Sequence, residues 1–325
     1  MQASFEKMPK KIVVLGTGGT IAGRSQVSGD NVGYKAGEVS VLDLLGGISD
    51  QFSQFEWEAE QIAQLDSKDM THAVWHALYL RIQQAATDPR VAAVLITHGT
   101  DTLEETAFFL HQSLSVSCPV VLVSAMRPAS SAFADGPANL HDAVALLQHE
   151  GVTGVCAVSA GKVHGALEVQ KMYPYQIDAF SSGESGPLAL IEEGRVRPLR
   201  SWQAPVGEAS LALHLGRQPW PRVEIVSSHA GCTGEVVRAL LAASGSVNPL
   251  RGLVVAATGN GTLHQDLEGA LHHAQEQGVK VVRSSRCPFG ALVAGAASSF
   301  EALPGLSPQK ARIALMLGLL REVGR

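Results

Sequence analysis

Runs of apolar residues recur along the chain, and three of them end in a cluster of small and hydroxyl-bearing residues. Ile12-Val13-Val14-Leu15 runs into Gly16-Thr17-Gly18-Gly19-Thr20, and Val91-Ala92-Ala93-Val94-Leu95-Ile96 into Thr97-His98-Gly99-Thr100-Asp101-Thr102. Leu253-Val254-Val255-Ala256-Ala257 runs into Thr258-Gly259-Asn260-Gly261-Thr262. Unbroken runs of this kind predict parallel strands buried on both faces. Residues 119–124, 154–159, 223–226 and 279–282 predict further buried strands, while 55–62 alternates apolar and polar residues as a half-buried strand does. Helical spacing appears over 71–85, 140–149 and 308–320, with a short helix at 39–45. Another helix opens at Glu104-Glu105, whose carboxylates suit the positive end of a helix dipole.

Strands alternating with helices predict an α/β fold of two domains. The larger, N-terminal one has a mostly parallel sheet flanked by helices, and the smaller, C-terminal one has its own parallel sheet. Residues 195–221 carry Pro198, Pro205, Pro219 and Pro221 with little periodicity. The expected division is therefore 1–200, a linker at 201–221, and 222–325.

With 325 residues, 46% of them hydrophobic, the chain can build two cores. A net charge of −5 and a pI near 6.2, with both signs mixed along the chain, give no footprint for nucleic acid or an anionic membrane. No apolar run approaches the roughly 20 residues of a membrane helix. The polar start, 1–10, shows no apolar signal region, so a cytoplasmic location is expected. Cys118, Cys156, Cys232 and Cys287 lie far apart without a C-x-x-C spacing and are expected to be free thiols. The histidines form no H-E-x-x-H, and no metal is expected.

The ligand end of an open α/β sheet lies beyond the carboxyl ends of its strands, where the threonine-rich turns fall. Two nucleotide motifs are excluded there. A G-x-G-x-x-G count from Gly16 meets Ile21 at its last position, and no Gly-Lys-Ser/Thr follows. What remains is a structural glycine turn or a site built on hydroxyls. Covalent catalysis by a hydroxyl needs a base or a proton relay, and no G-x-S-x-G elbow supplies one. The candidate activators are Tyr34, in a polar loop at 24–37 that reads as a lid or as a variable surface loop, and Asp101 with Lys171. Taken singly, Tyr34 is also a packed ring and Lys171 a surface lysine.

Together these segments resemble the bacterial-type L-asparaginase family. Its two signatures are matched by Thr17-Gly18-Gly19-Thr20-Ile21-Ala22-Gly23 and Thr97-His98-Gly99-Thr100-Asp101-Thr102. The likeness continues in collinear order through Asp66-Ser67-Lys68-Asp69-Met70, Ala125-Met126-Arg127-Pro128, Ala134-Asp135-Gly136-Pro137, Arg283-Ser284-Ser285-Arg286 and Ser307-Pro308-Gln309-Lys310-Ala311-Arg312. The resemblance implies hydrolysis of the side-chain amide of L-asparagine to aspartate and ammonia through a threonine acyl-enzyme, with no cofactor. Thr20 would be the nucleophile assisted by Tyr34, and Thr100, Asp101 and Lys171 the second catalytic group. The implied substrate-binding set is Gly19, Asp66, Ser67, Gly99, Thr100 and Asp101. Within it, Ser67 takes the substrate α-carboxylate and Asp101 its α-ammonium, with backbone N–H groups near Gly99 and Thr100 as an oxyanion site. The family also implies a homotetramer of intimate dimers with shared sites.

Two departures qualify the match. Lys68 replaces the glutamine or glutamate common after the serine, so it is expected to point away from the substrate ammonium. Residues 287–299 contain no acid where many relatives supply a glutamate; Glu301 is the candidate substitute, and Thr262 stands where relatives commonly have asparagine or serine and would keep a polar contact. These departures keep open L-glutamine, D-asparagine or another small ω-amide as substrate, or a weakly active protein that binds amino acids.

Overall fold

A computed structural model of the chain describes residues 9–27, 30–46, 48–208, 211–217, 219–293 and 300–322. The chain divides into two compact units, Met1–Gly207 and Glu208–Arg325.

In chain order, the first unit contains β1 (Lys10–Gly18), β2 (Arg24–Ser25), β3 (Tyr34–Lys35), α1 (Val41–Leu45), β4 (Phe55–Leu65), α2 (His72–Ala85), β5 (Val91–Thr97) and α3 (Leu103–Ser113). It continues with β6 (Val120–Val123), α4 (Gly136–Gln148), β7 (Val155–Ser159), β8 (Lys162–Gly165), β9 (Gln170–Lys171), β10 (Phe180–Ser181), β11 (Ala189–Glu192) and β12 (Arg195–Pro198). Eight strands form one sheet in the order β12-β11-β8-β7-β6-β5-β1-β4. From β4 through β7 every pairing is parallel, and from β7 to β12 every pairing is antiparallel.

Alternation within the strands divides their side chains between two faces. Ile12, Val14, Leu95, Val121, Val123, Cys156 and Val158 share a buried cluster with residues of α1 and α4. Val13, Leu15, Val94 and Ile96 are equally buried, and α2 packs on β4 and β5. Trp75 of α2 stacks on Phe109 of α3 at 4.9 Å and 11° between ring planes, joining those helices. Burial on both faces is the physical reason these strands read as unbroken apolar runs. The helix α4 begins four residues earlier than its periodicity predicts, at Gly136, with Pro137 in its first turn. Proline is favoured there because its missing N–H is one that the first turn leaves unpaired.

The second unit contains α5 (Leu211–Leu215), β13 (Arg222–Ser227), α6 (Glu235–Ala242), β14 (Leu250–Ala257), α7 (Gln265–Glu276), β15 (Lys280–Ser285), β16 (Glu301–Ala302) and α8 (Pro308–Glu322). Its sheet is parallel throughout, in the order β13-β14-β15-β16. Val226, Leu253, Val255 and Val281 pack with Val237 of α6 and Leu267 and Leu271 of α7, while α8 lies against β13, β14 and β15. The stretch 201–221, read as a linker, includes α5. Among the described residues no helix is long and apolar enough to cross a membrane. Cys118, Cys156 and Cys232 are buried free thiols, and Cys287 is exposed.

Candidate active site

The site lies beyond the carboxyl ends of β1 and β5, the two strands whose threonine-rich turns stand out in the sequence. The Thr17 hydroxyl donates to the Thr97 carbonyl at 2.9 Å, tying the two strand ends together. Gly18 and Gly19 then turn with φ of 98° and 80°, a region that disfavours side chains. Gly19 donates its N–H to the Leu65 carbonyl at the end of β4, 2.8 Å away. A Cβ on Gly19 would collide with the Gly99 backbone, so the two turns touch with no room for a side chain. A single 3₁₀ turn over Thr20–Ala22 follows and holds Thr20 at 8% exposure.

The Thr20 hydroxyl lies 2.6 Å from the Tyr34 hydroxyl. Tyr34 reaches it from the hairpin of β2 and β3, which lies within the 24–37 loop and is anchored by a 2.8 Å bond from the Ser25 N–H to the Ser130 hydroxyl. Residues 28–29 of that loop lie outside the described residues. Burial pushes the Tyr34 phenol above its ordinary pKa; the bond to Thr20 opposes the shift, and the charges of Asp66 and Asp101 add to it. The phenol is therefore neutral at physiological pH.

A second hydroxyl group stands beside the first. The Lys171 ammonium donates to Thr100 Oγ1 at 2.8 Å and to Asp101 Oδ1 at 2.6 Å. An ammonium only donates, so Thr100 Oγ1 accepts and its own hydrogen is left to point elsewhere. Ser67 Oγ accepts from the Asp101 N–H at 3.1 Å, which likewise leaves its hydrogen available. The Thr102 hydroxyl donates to the Ser67 carbonyl at 2.8 Å, fixing that loop to the start of α3. The structure thus gathers Thr20 with Tyr34, and Thr100 with Lys171, Asp101 and Ser67, while Gly19 and Gly99 form the seam between the two groups. Asp66, next to Ser67, is held by Lys68.

Both halves of the chain match asparaginase domains. The family profile "Asparaginase, N-terminal" matches residues 11–204, and "Glutaminase/Asparaginase C-terminal domain" matches residues 222–323. The chain belongs to the asparaginase family. It is 36% identical over 320 residues to a probable periplasmic L-asparaginase of Haemophilus influenzae, covering 95% of this chain and 88% of that protein. It is 35% identical to L-asparaginase 2 of Escherichia coli and 30% identical to a glutaminase-asparaginase of Pseudomonas fluorescens, with 95% of this chain covered in each case and 88% and 86% of the relatives. The crystal structure of a probable cytoplasmic L-asparaginase from Campylobacter jejuni superposes with a TM-score of 0.87 at 34% identity, covering 95% of both chains.

Two further family-like segments, 125–128 and 134–137, are joined to each other within the first unit. Asp135 accepts from the Met126 N–H at 2.9 Å and the Arg127 N–H at 2.9 Å, and Asn139 donates to the Ser124 carbonyl at 2.9 Å. Together they clamp the loop that leaves β6. Lys68 turns its ammonium to Asp66 at 2.9 Å and Asp69 at 3.0 Å, with 60% of its side chain exposed. Its charge is thereby taken up by carboxylates on its own turn, one of which, Asp66, belongs to the expected substrate-binding set. Of the segment 287–299, residues 294–299 lie outside the described residues. In the second unit, Glu301 is exposed in β16, and the Thr262 hydroxyl bonds the Thr258 hydroxyl at 2.9 Å.

Sequence reasoning missed two positioning devices. Glu104, assigned there only to the helix dipole, is buried and accepts the Lys171 backbone N–H at 2.6 Å. No local signal could reveal a partner 67 positions away. The other device is buried behind Gly99. Trp75 donates to the Thr106 hydroxyl at 2.9 Å, and that hydroxyl lies 2.9 Å from His98 Nε2. The Gly99 carbonyl beside Nδ1 can only accept, so the neutral ring carries its proton on Nδ1 and the Thr106 hydroxyl, which accepts from the indole, donates its own hydrogen to Nε2. Nδ1 then donates to the Gly99 carbonyl at 2.7 Å, holding the turn that carries Thr100.

Proposed function

We propose that this chain is an L-asparagine amidohydrolase in which Thr20 is the nucleophile. The observation that carries the reading is the pair of hydroxyls on touching strand ends, each with its own proton partner: Thr20 with Tyr34 at 2.6 Å and Thr100 with Lys171 at 2.8 Å. Family membership makes the substrate class concrete. Asparagine docks its α-carboxylate on the free hydrogen of Ser67 and its α-ammonium on Asp101. Lys171 occupies Asp101 Oδ1, so Oδ2 receives the ammonium. Asp66 is tied to Lys68 and adds only a weaker long-range attraction.

Thr20 Oγ1 attacks the side-chain carbonyl carbon and passes its proton to the Tyr34 oxygen as the tyrosine hands its own proton on. Because burial holds the phenol neutral, Tyr34 works as a relay and not as a standing base. Backbone N–H groups at Gly99 and Thr100 stabilise the oxyanion. Collapse breaks the C–N bond, and the nitrogen leaves as ammonia with the relayed proton. Water, oriented by the Thr100 hydroxyl that Lys171 holds, then attacks the Thr20 ester; aspartate departs and Oγ1 regains its proton.

The experiment compares ammonia release from L-asparagine, L-glutamine and D-asparagine. The reading expects the highest kcat/KM with L-asparagine and a lower value with L-glutamine, a side activity of the kind implied by the glutaminase-asparaginase name of one relative. Release from none of the three, or preference for D-asparagine, would overturn it. We also infer a homotetramer built from intimate dimers and a cytoplasmic location. A stable, active monomer in sedimentation would refute the first, and recovery from a periplasmic fraction the second.

A further inference from the structure

A cavity of about 180 Å³ opens in the second unit between α5, the segments entering β13 and β14, and α8. None of its lining residues belongs to the catalytic set. Its walls are apolar, with Pro219, Trp220, Pro249 and Leu320 among them, while Arg217, Arg222 and Arg251 surround them. No carboxylate is found among the described lining residues. Arg222 uses Nε to bond Glu224 at 2.8 Å, with only 22% of its side chain exposed, and the other end of its guanidinium has no carboxylate partner among the described residues. Arg217 and Arg251 are exposed and make no ion pair among the described residues. His214 adds an Nδ1 atom shielded from solvent and without a partner there. On a chain whose net charge is −5, a mostly apolar pocket with three arginines and no carboxylate among its described lining residues is a local reversal of sign.

We propose that this pocket binds a small organic carboxylate with an apolar, branched or aromatic body. The planar guanidinium fork matches a carboxylate in two parallel hydrogen bonds. The proline and tryptophan walls offer nothing to a fully hydrated ion such as inorganic phosphate but exclude water from an apolar body. The volume is below that of a site for drug-sized ligands, which sets the ligand at about the size of phenylacetate. Binding at this pocket involves no step of the amide reaction, so it stands or falls independently of the proposed activity.

Calorimetric titration of the full chain with phenylacetate at low salt tests this. The expected result is saturable binding at one site per chain. The neutral isostere 2-phenylethanol should bind at least about tenfold more weakly, a difference of about 1.4 kcal/mol. The double variant Arg217→Gln/Arg251→Gln, at two exposed positions, should lose at least about tenfold in affinity while releasing ammonia from L-asparagine as the unmodified protein does. Val247→Trp, placed on the exposed rim to fill the mouth, should abolish binding. Absence of saturation, equal binding of 2-phenylethanol, unchanged affinity in the double variant, or displacement of phenylacetate by equal concentrations of inorganic phosphate would each overturn the proposal.

Discussion

His98 is fully buried, and burial pushes its imidazole from 6.5 down to about 4, with the bond to the Gly99 carbonyl acting in the other direction. In the unfolded chain the same ring titrates near 6.5. As pH falls from about 6.5 to about 4 the unfolded chain therefore binds a proton that the folded chain refuses, and stability is lost across that window. The loss is on the order of 3 kcal/mol. Urea unfolding of the unmodified protein between these pH values should show a steeper fall in stability than His98→Gln; parallel slopes would contradict it. In the proposed mechanism Glu104 acts one step from the chemistry, through the Lys171 backbone. Glu104→Ala removes the acceptor and should lower kcat about tenfold, with KM for L-asparagine little changed. Glu104→Gln keeps an acceptor oxygen and should recover most of the rate. A fold-weakening effect alone would lower the thermal midpoint in both variants without this split.

The geometry of the proposed site is set by the ends of β1 and β5 more than by any one side chain. Gly19 has φ of 80° and its Cα faces the Gly99 backbone, so Gly19→Ala must drive the two turns apart. A displacement on the order of 1 Å costs about a hundredfold in rate. Activity assays on folded Gly19→Ala protein should show that loss, and near-normal turnover would contradict the close apposition. These parallel strands were legible in sequence because helices cover both faces of the sheet. The antiparallel part was not. β7 turns into β8 through Ala160 and Gly161 with φ of 50° and 72°, and β11 into β12 through Glu193 and Gly194 with φ of 50° and 69°. Such two-residue turns normally announce themselves by asparagine or aspartate before glycine, and alanine and glutamate hide the signal. Glu193 is exposed, so Glu193→Asn should relieve the left-handed strain and add about 0.5–1 kcal/mol, read by denaturant titration. In the site, the threonines and Asp101 were legible from their motifs. Lys171 was a candidate beside Asp101 that, taken singly, read equally as a surface lysine, and the role of Glu104 and the His98 chain depend on contacts remote in sequence.

At the scale of the whole molecule, two α/β units of unequal size carry different burdens. Among the described residues, the hydrogen bonds that join Thr20 to Tyr34 and Lys171 to Thr100, Asp101 and Glu104 lie within the first unit. The second unit holds the segment 287–299, which lacks an acid in sequence, and the cationic cavity. The central claim is that Thr20 forms the covalent bond to the substrate. Thr20→Ala tests it most directly, with ammonia release and calorimetric binding of L-asparagine measured on the same preparation. Loss of turnover with binding retained is the predicted result. Ammonia release at the unmodified rate would contradict the assignment of Thr20 and move the nucleophile elsewhere, with Thr100 the first hydroxyl to examine.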